Sequence, residues 1–241
     1  MRRLLLSRAA LLLSLCCITT AAAGYAETVD ASVQVRVTRS GKPTAQQAGS
    51  AGVVVWLTPL APTIEDSVSA IKPGHYRLVQ KDKEFTPHLL VIPTGSSVDF
   101  PNLDPFFHNV FSFFNGKRFD LGLYESGSSR IVHFDHDGVS YIFCNIHPEM
   151  SAVIVTLSTP YYAVSAADGS INLHEIPPGT YEMHVWAEGS SPRDLDALSR
   201  RVLVSTFQKD LGTVEVTVDA HFHAHKNKFG EDYQDPSDSL Y

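Results

Sequence analysis

YIFCNIHPEMSAVIV, residues 141–155, places Cys144, His147 and Met150 between two apolar runs. SYIF and AVIVTL have the β-branched and aromatic content of strands, and the polar, proline-containing stretch between them reads as a turn. Cys144 therefore closes one strand, and His147 and Met150 sit on the loop that leads to the next. A thiol, an imidazole and a thioether on one short loop make three donor groups, and a fourth has to come from a distant strand. PNLDPFFHNVFS supplies it upstream, because His108 opens the run HNVFSF.

Cysteine usage sharpens that reading. The chain has 241 residues and three cysteines. Two of them, Cys16 and Cys17, fall in a segment with a basic start (Arg2, Arg3, Arg8), an apolar run from Ala9 to Ile18 and the small-residue stretch TTAAAGYA. This is the pattern of a secretory signal over residues 1–26, with cleavage after Ala23 or Ala26. The run is short for a membrane span, and Leu15 before Cys16 argues against lipoprotein processing. An exported, periplasmic protein is expected, with no membrane span. Cys144 is then a lone thiol in an oxidising compartment, without a cysteine to pair with. It is either a buried inert residue or a thiolate protected by a metal.

Removing residues 1–26 removes three arginines and no acid, which takes the formal charge from −7 to −10. That balance speaks against nucleic acid and against an anionic membrane surface. What remains is enough for one large β domain or two ordinary ones.

Working outward, short alternating or apolar runs recur between Gly, Pro, Asn and Asp: SVQVRV, AGVVVWL, HLLVIP, SVDF, RIVHF, YEMHVW, RVLVST and GTVEVTV. The fold class is all-β, a sandwich or barrel, with one brief helix near Pro192 to Arg201. Residues 30–60 carry a strand, the polar turn SGKP and the strand VVVWL. Residues 161–186 carry three strands separated by DG and PPG turns. Together these halves resemble the carboxypeptidase regulatory-like β-sandwich, an immunoglobulin- or transthyretin-like fold. In that family the halves lie close in sequence, whereas here the segment between them looks like a domain of its own. The expected division is a split sandwich at 27–75 and 159–219, an inserted domain at 76–158, and a histidine-containing tail at 220–241, extended or partly disordered. Surface loops with nearby ends tolerate such insertions; domains in simple tandem are the alternative.

The donor set of residues 85–157 fits copper better than other metals. Thiolate and thioether are soft and suit Cu(I), imidazole also holds Cu(II), and two His with one Cys and a weak axial Met make the blue-copper electron-transfer set. Structural zinc sites draw on four Cys or His ligands. The segment resembles the cupredoxins, the plastocyanin, pseudoazurin and amicyanin group, whose fold is a Greek-key β-sandwich. FTPHLLVIPTGSSVDFPN looks like their early strands, HNV like the first ligand and its neighbour, and Cys-x2-His-x2-Met like the short loop of amicyanin. The resemblance implies that His108, Cys144, His147 and Met150 hold one type 1 copper. It makes Asn109 the supporting residue whose backbone N–H and side chain steady the cysteine loop. The whole chain also resembles exported methylamine-utilisation or plastocyanin-like proteins.

Other residues have plainer readings. Phe106, Phe107, Phe111, Phe113 and Phe114 fit a core or a hydrophobic rim. His88 is an ordinary strand residue or an extra ligand, and His133 and His136 flank a solvated turn. His221, His223 and His225 alternate along an extended chain and so share a side, which suits either a second metal or a polar arm. The expected function is single-electron transfer with a redox partner protein docking near His147. The alternatives are copper sequestration or delivery, or a structural protein stabilised by copper. An enzyme is not expected, because four ligands leave no open position and no catalytic constellation stands out.

Overall fold

A computed structural model describes residues 28–40, 50–61, 71–113, 116–219 and 226–233. The signal segment, the end of the SGKP turn, Phe114, and His221, His223 and His225 lie outside the described residues.

The fold is all-β. β1 (Val29–Ser40) pairs antiparallel with β14 (Ser170–Ile176) and parallel with β17 (Asp210–Asp219). Facing them is a sheet of β13 (Tyr162–Val164), β2 (Val54–Pro59), β15 (Gly179–Trp186) and β16 (Arg200–Val204), in that order. A five-stranded sheet follows, ordered β6 (Leu89–Pro93), β12 (Ser151–Leu157), β11 (Gly138–Phe143), β8 (His108–Ser112) and β9 (Phe119–Tyr124). A smaller sheet of β10 (Ile131–Phe134), β7 (Ser96–Asp99) and β3 (His75–Arg77) covers its other side, and β4 (Val79–Lys81) and β5 (Glu84–Thr86) form a hairpin. The single helix among the described residues is α1 (Pro192–Leu198), with Ser191 as its N-cap and Pro192 in the first turn.

The apolar residues sort these sheets into layers. Val33 and Val35 of β1, Val55 and Leu57 of β2, Tyr181 and Met183 of β15, and Val214 and Val216 of β17 share one core. Val98, Val110, Phe134, Ile142, Ala152 and Ile154 share another, with Cys144 and Met150 in it. Between the two lies a third cluster: Val54, Val153, Val155, Leu157 and Trp186, with Trp56, Leu89, Val91 and Tyr141 packed against it. β2 and β12 thus have core on both faces, which is why VVVWL and AVIVTL read as near-continuous apolar runs instead of alternating. β1 has core on one face only, and there burial alternates residue by residue over most of its length.

The expected runs form strands, and β3, β4, β5 and β9 are additional. The first three of these span only three residues each, too short for a periodicity reading to detect. β9 contains Gly122, with φ at 66°, and lacks β-branched residues. The helix ends at Leu198, and Arg200 already opens β16.

Trp186 is 5% exposed and fills the third cluster beside Tyr141. Replacing it by Ala leaves a cavity between two sheets that cannot easily close, so Trp186→Ala should cost about 3–5 kcal/mol. Urea unfolding followed by circular dichroism measures it; a loss below about 1 kcal/mol would show that this layer contributes little.

Candidate metal centre

β8 and β11 are neighbours in the five-stranded sheet, and Phe143 is paired with Phe111. The strands are antiparallel, so His108, at the start of β8, comes to lie beside the chain that leaves β11 at Cys144. The loop from Cys144 to Met150 folds back on itself. The Cys144 N–H donates to the Met150 carbonyl at 3.3 Å, and the Met150 N–H donates to the His147 carbonyl at 3.1 Å. That closure returns the chain into β12 and holds His147 over the end of β11.

His108, Cys144 and His147 form a group able to hold a metal ion, with ligand atoms within 4.8 Å of one another. Nδ1 of His108 lies 3.7 Å from Cys144 Sγ, Nδ1 of His147 lies 3.6 Å from it, and the two Nδ1 atoms are 3.1 Å apart. On its other edge, His108 Nε2 is 2.7 Å from a carboxylate oxygen of Asp104. A carboxylate only accepts, so this contact is made by an Nε2–H, and Nδ1 is the ring nitrogen turned toward the sulfur. Two imidazole nitrogens and a sulfur converging in this way repel one another unless a cation or a proton lies among them. The donor chemistry, two imidazoles and a thiol, fits a soft or borderline transition metal.

Burial pushes the Cys144 thiol above its ordinary pKa, and the backbone N–H groups of Asn109, Ile146 and His147 at the sulfur oppose this. His147 is held below the usual imidazole value by its own burial and by neighbouring His108, with Glu149 acting the other way. His108 and Cys144 are fully buried, whereas His147 is half-buried and is the member of the group nearest solvent. Met150 is fully buried in the same core cluster as Cys144.

Asn109 Nδ2 donates to Asp120 of β9 at 2.7 Å, and its Oδ1 is buried without a partner among the described residues. Only its backbone N–H reaches the sulfur. Phe106 lies against both imidazoles, with ring centroids 5.2 Å from His108 and 5.5 Å from His147. Phe111 is buried, while Phe107 and Phe113 are exposed. His88 immediately precedes β6 and bonds the Ser151 carbonyl at 3.1 Å and Glu188 at 2.7 Å, so it ties the five-stranded sheet to the end of β15. Its hydrogen bond to Glu188 raises its pKa. His133 and His136 are exposed.

Two contributors are not found by reading the sequence. Asp104 is one; an acid four residues before a histidine in a loop is a weak signal on its own. The other is the segment 226–233. It folds into a compact turn about Asn227, whose carbonyl accepts from Gly230 N–H at 2.9 Å and whose side chain accepts from Phe229 N–H at 2.9 Å. The Lys228 N–H donates to Asn145 Oδ1 at 2.9 Å, its Nζ reaches Asp120 at 2.9 Å, and the Tyr233 hydroxyl donates to the Cys144 carbonyl at 2.6 Å. Part of the tail is therefore a strap across the cysteine loop.

No protein-family model matches the chain, and no curated protein matches it. Solved structures give partial likenesses. The purple cupredoxin from Nitrosopumilus maritimus is 22% identical, with 34% of this chain covering 99% of that one at a TM-score of 0.31. The copper-containing nitrite reductase from Thermus scotoductus SA-01 is 22% identical over 50% of this chain, spans only 28% of that protein, and scores 0.34. An oxidized proline-to-alanine mutant of amicyanin is 18% identical, over 37% of this chain and 89% of that one, at 0.32. Fold and site together define an all-β protein with a buried His–Cys–His group able to hold a metal ion. Among the described residues no helix is long and apolar enough to cross a membrane.

Tyr233→Phe removes the hydroxyl bonded to the Cys144 carbonyl. The cost is about 1 kcal/mol, so loop opening should increase about fivefold. Labelling of Cys144 by a thiol reagent in the metal-free protein reads this directly; an unchanged rate would show that the strap does not restrain the loop.

Proposed function

We propose that this chain is an exported type 1 copper protein that carries single electrons between redox partners. The observation that carries the reading is the convergence of the two Nδ1 atoms on Cys144 Sγ, at 3.7 and 3.6 Å. His108, Cys144 and His147 would hold the metal, with Met150 as the weak axial donor. Copper held there would supply a one-electron couple. The chain's own residues supply rigidity: His108 and Cys144 are fully buried, the loop is closed by its own backbone bonds, and Phe106 packs on both imidazoles. Donors held in place do not have to rearrange when charge changes, which keeps the reorganisation cost small.

His147 is the natural exit for an electron. It is half-buried; Ile146, next to it in sequence, and Phe107, next to His108, are exposed at 43% and 55%. A small apolar rim of this kind suits brief docking to a partner protein. Export to the periplasm, through the signal segment 1–26, places the lone thiol where only metal or burial protects it.

We also propose that residues 76–158 are an inserted domain, with 27–75 and 159–219 as the two halves of one sandwich. The pairing of β2 with β15 and the core shared by β1, β2, β14, β15 and β17 support this division. The excised segment 76–158 should fold and take up copper. It should also self-associate, because Val153, Val155 and Leu157 lose their cover from Val54 and Trp186. Circular dichroism tests folding, gel filtration tests self-association and the visible spectrum tests copper uptake; an unfolded segment would overturn the division.

The copper assignment is tested on the full chain. The Cu(II)-loaded protein should show an intense visible thiolate-to-copper band, and Cys144→Ser should lose it while keeping a β-rich spectrum. Met150→Gln should keep the band and lower the reduction potential, because an oxygen donor favours Cu(II). A colourless wild type would sink the type 1 reading, and an unchanged potential would remove Met150 from the ligand set.

A further inference from the structure

Asp104 is 3% exposed, and the polar groups that meet its carboxylate are all donors. One oxygen accepts the Asp82 N–H at 2.6 Å; the other accepts the Lys83 N–H at 3.0 Å and His108 Nε2–H at 2.7 Å. Donors alone around a buried carboxylate favour its ionised form, and charge-assisted bonds of this length are the strong ones.

The two backbone donors come from the turn that joins β4 to β5. Asp82 and Lys83 both have positive φ, at 56° and 59°. Left-handed backbone at both central positions is the geometry of a two-residue hairpin turn that normally takes glycine or asparagine. A lysine there is strained, and strain of this kind persists where the surroundings demand it. Here the turn aims both N–H groups at Asp104. The 102–104 loop is fixed from its other side as well. Asn102 Oδ1 accepts the Asp104 N–H at 3.0 Å, and Asn102 Nδ2 donates to the Phe106 carbonyl at 2.8 Å. The carboxylate is therefore held by the backbone of the turn, and its own loop is held by the Asn102 side chain, before it meets the imidazole.

We propose that Asp104 is a positioning residue for the metal ligand His108: it locks the Nε2–H tautomer, aims Nδ1 at Cys144, and sets a fixed negative charge one ring away from the metal. The proposal rests on the copper reading above. A hydrogen-bonded carboxylate behind an imidazole makes the ligating nitrogen more basic and stabilises the more highly charged state of the metal. Asp104 therefore favours Cu(II) over Cu(I) and holds the reduction potential down. Asn109 and the strap act on the cysteine side of the group, and Asp104 acts on the histidine side.

The test uses the full chain and separates this idea from the copper reading. In metal-free, nitrogen-15-labelled wild type, His108 should appear as the Nε2–H tautomer with a slowly exchanging ring proton; the Nδ1–H tautomer would overturn the proposal without any variant or any copper. In the copper-loaded protein, Asp104→Asn should keep the visible band and weaken Cu(II) binding about 10–100-fold, with a smaller loss for Cu(I). Each tenfold difference between the two oxidation states raises the potential by about 59 mV. A kept band with an unchanged or lowered potential would overturn the tuning role. If Asp104→Asn fails to fold, the wild-type tautomer still decides the positioning role. A wild type without the band would remove the copper reading and leave the tautomer result to judge Asp104 as a positioning group for whatever cation the site takes.

Discussion

One cross-strand pair, Phe111 with Phe143, sets the geometry of the whole centre. The donors lie 36 residues apart in the chain, and the hydrogen bonds of β8 to β11 bring them together. Because the strands run in opposite directions, His108 precedes that pair on one strand as the cysteine loop follows it on the other. The approach to β8 carries Asp104 and Phe106, so the same pairing also delivers the carboxylate and the ring that pack on His108. A one-residue slip would turn His108 to the opposite face of the sheet and separate it from the sulfur. The sheet is not free to slip, since β8 is buried along its entire length and β12, two strands away, has core on both faces.

That double burial links the site to the rest of the molecule. The face of β12 that carries Ala152 and Ile154 helps form the core containing Cys144 and Met150, and the opposite face packs on Val54 and Trp186. Pressure on the intermediate layer therefore reaches the cysteine loop through a single strand. His88 reinforces the link, since it joins the Ser151 carbonyl, next to Met150, to Glu188 beyond the end of β15.

Much of this is legible in the amino-acid order, and the part that is not has a physical reason. The strand runs announce themselves by composition, and the spacing Cys144, His147, Met150 marks a loop of donors. The same apolar continuity in VVVWL and AVIVTL also signals strands covered on both sides, and the layered packing accounts for it. Asp104 and the strap escape because each works through a few polar contacts at long range. Asp104 makes sense only once the β4–β5 turn is seen to point at it, and although Asp82 tolerates a left-handed backbone, Lys83 does not advertise one. The strap has no apolar period: it is held by Asn145, Asp120 and the Cys144 carbonyl. Asn109 is a further case, since nothing in its sequence neighbourhood shows that its amide turns to Asp120.

The parallel pairing of β1 with β17 carries a consequence for how the chain is made. β1 is synthesised well before its parallel neighbour β17, so that edge of the strand stays uncovered until β17 has been made. The cysteine loop waits longer still, because Tyr233 lies 89 residues after the carbonyl it ties down. Contacts that span so much sequence form late and slowly. Biosynthetic order and architecture thus coincide: a chain made only as far as β16 has an open sheet edge and an untied loop together, and the stretch from β17 to Tyr233 closes both.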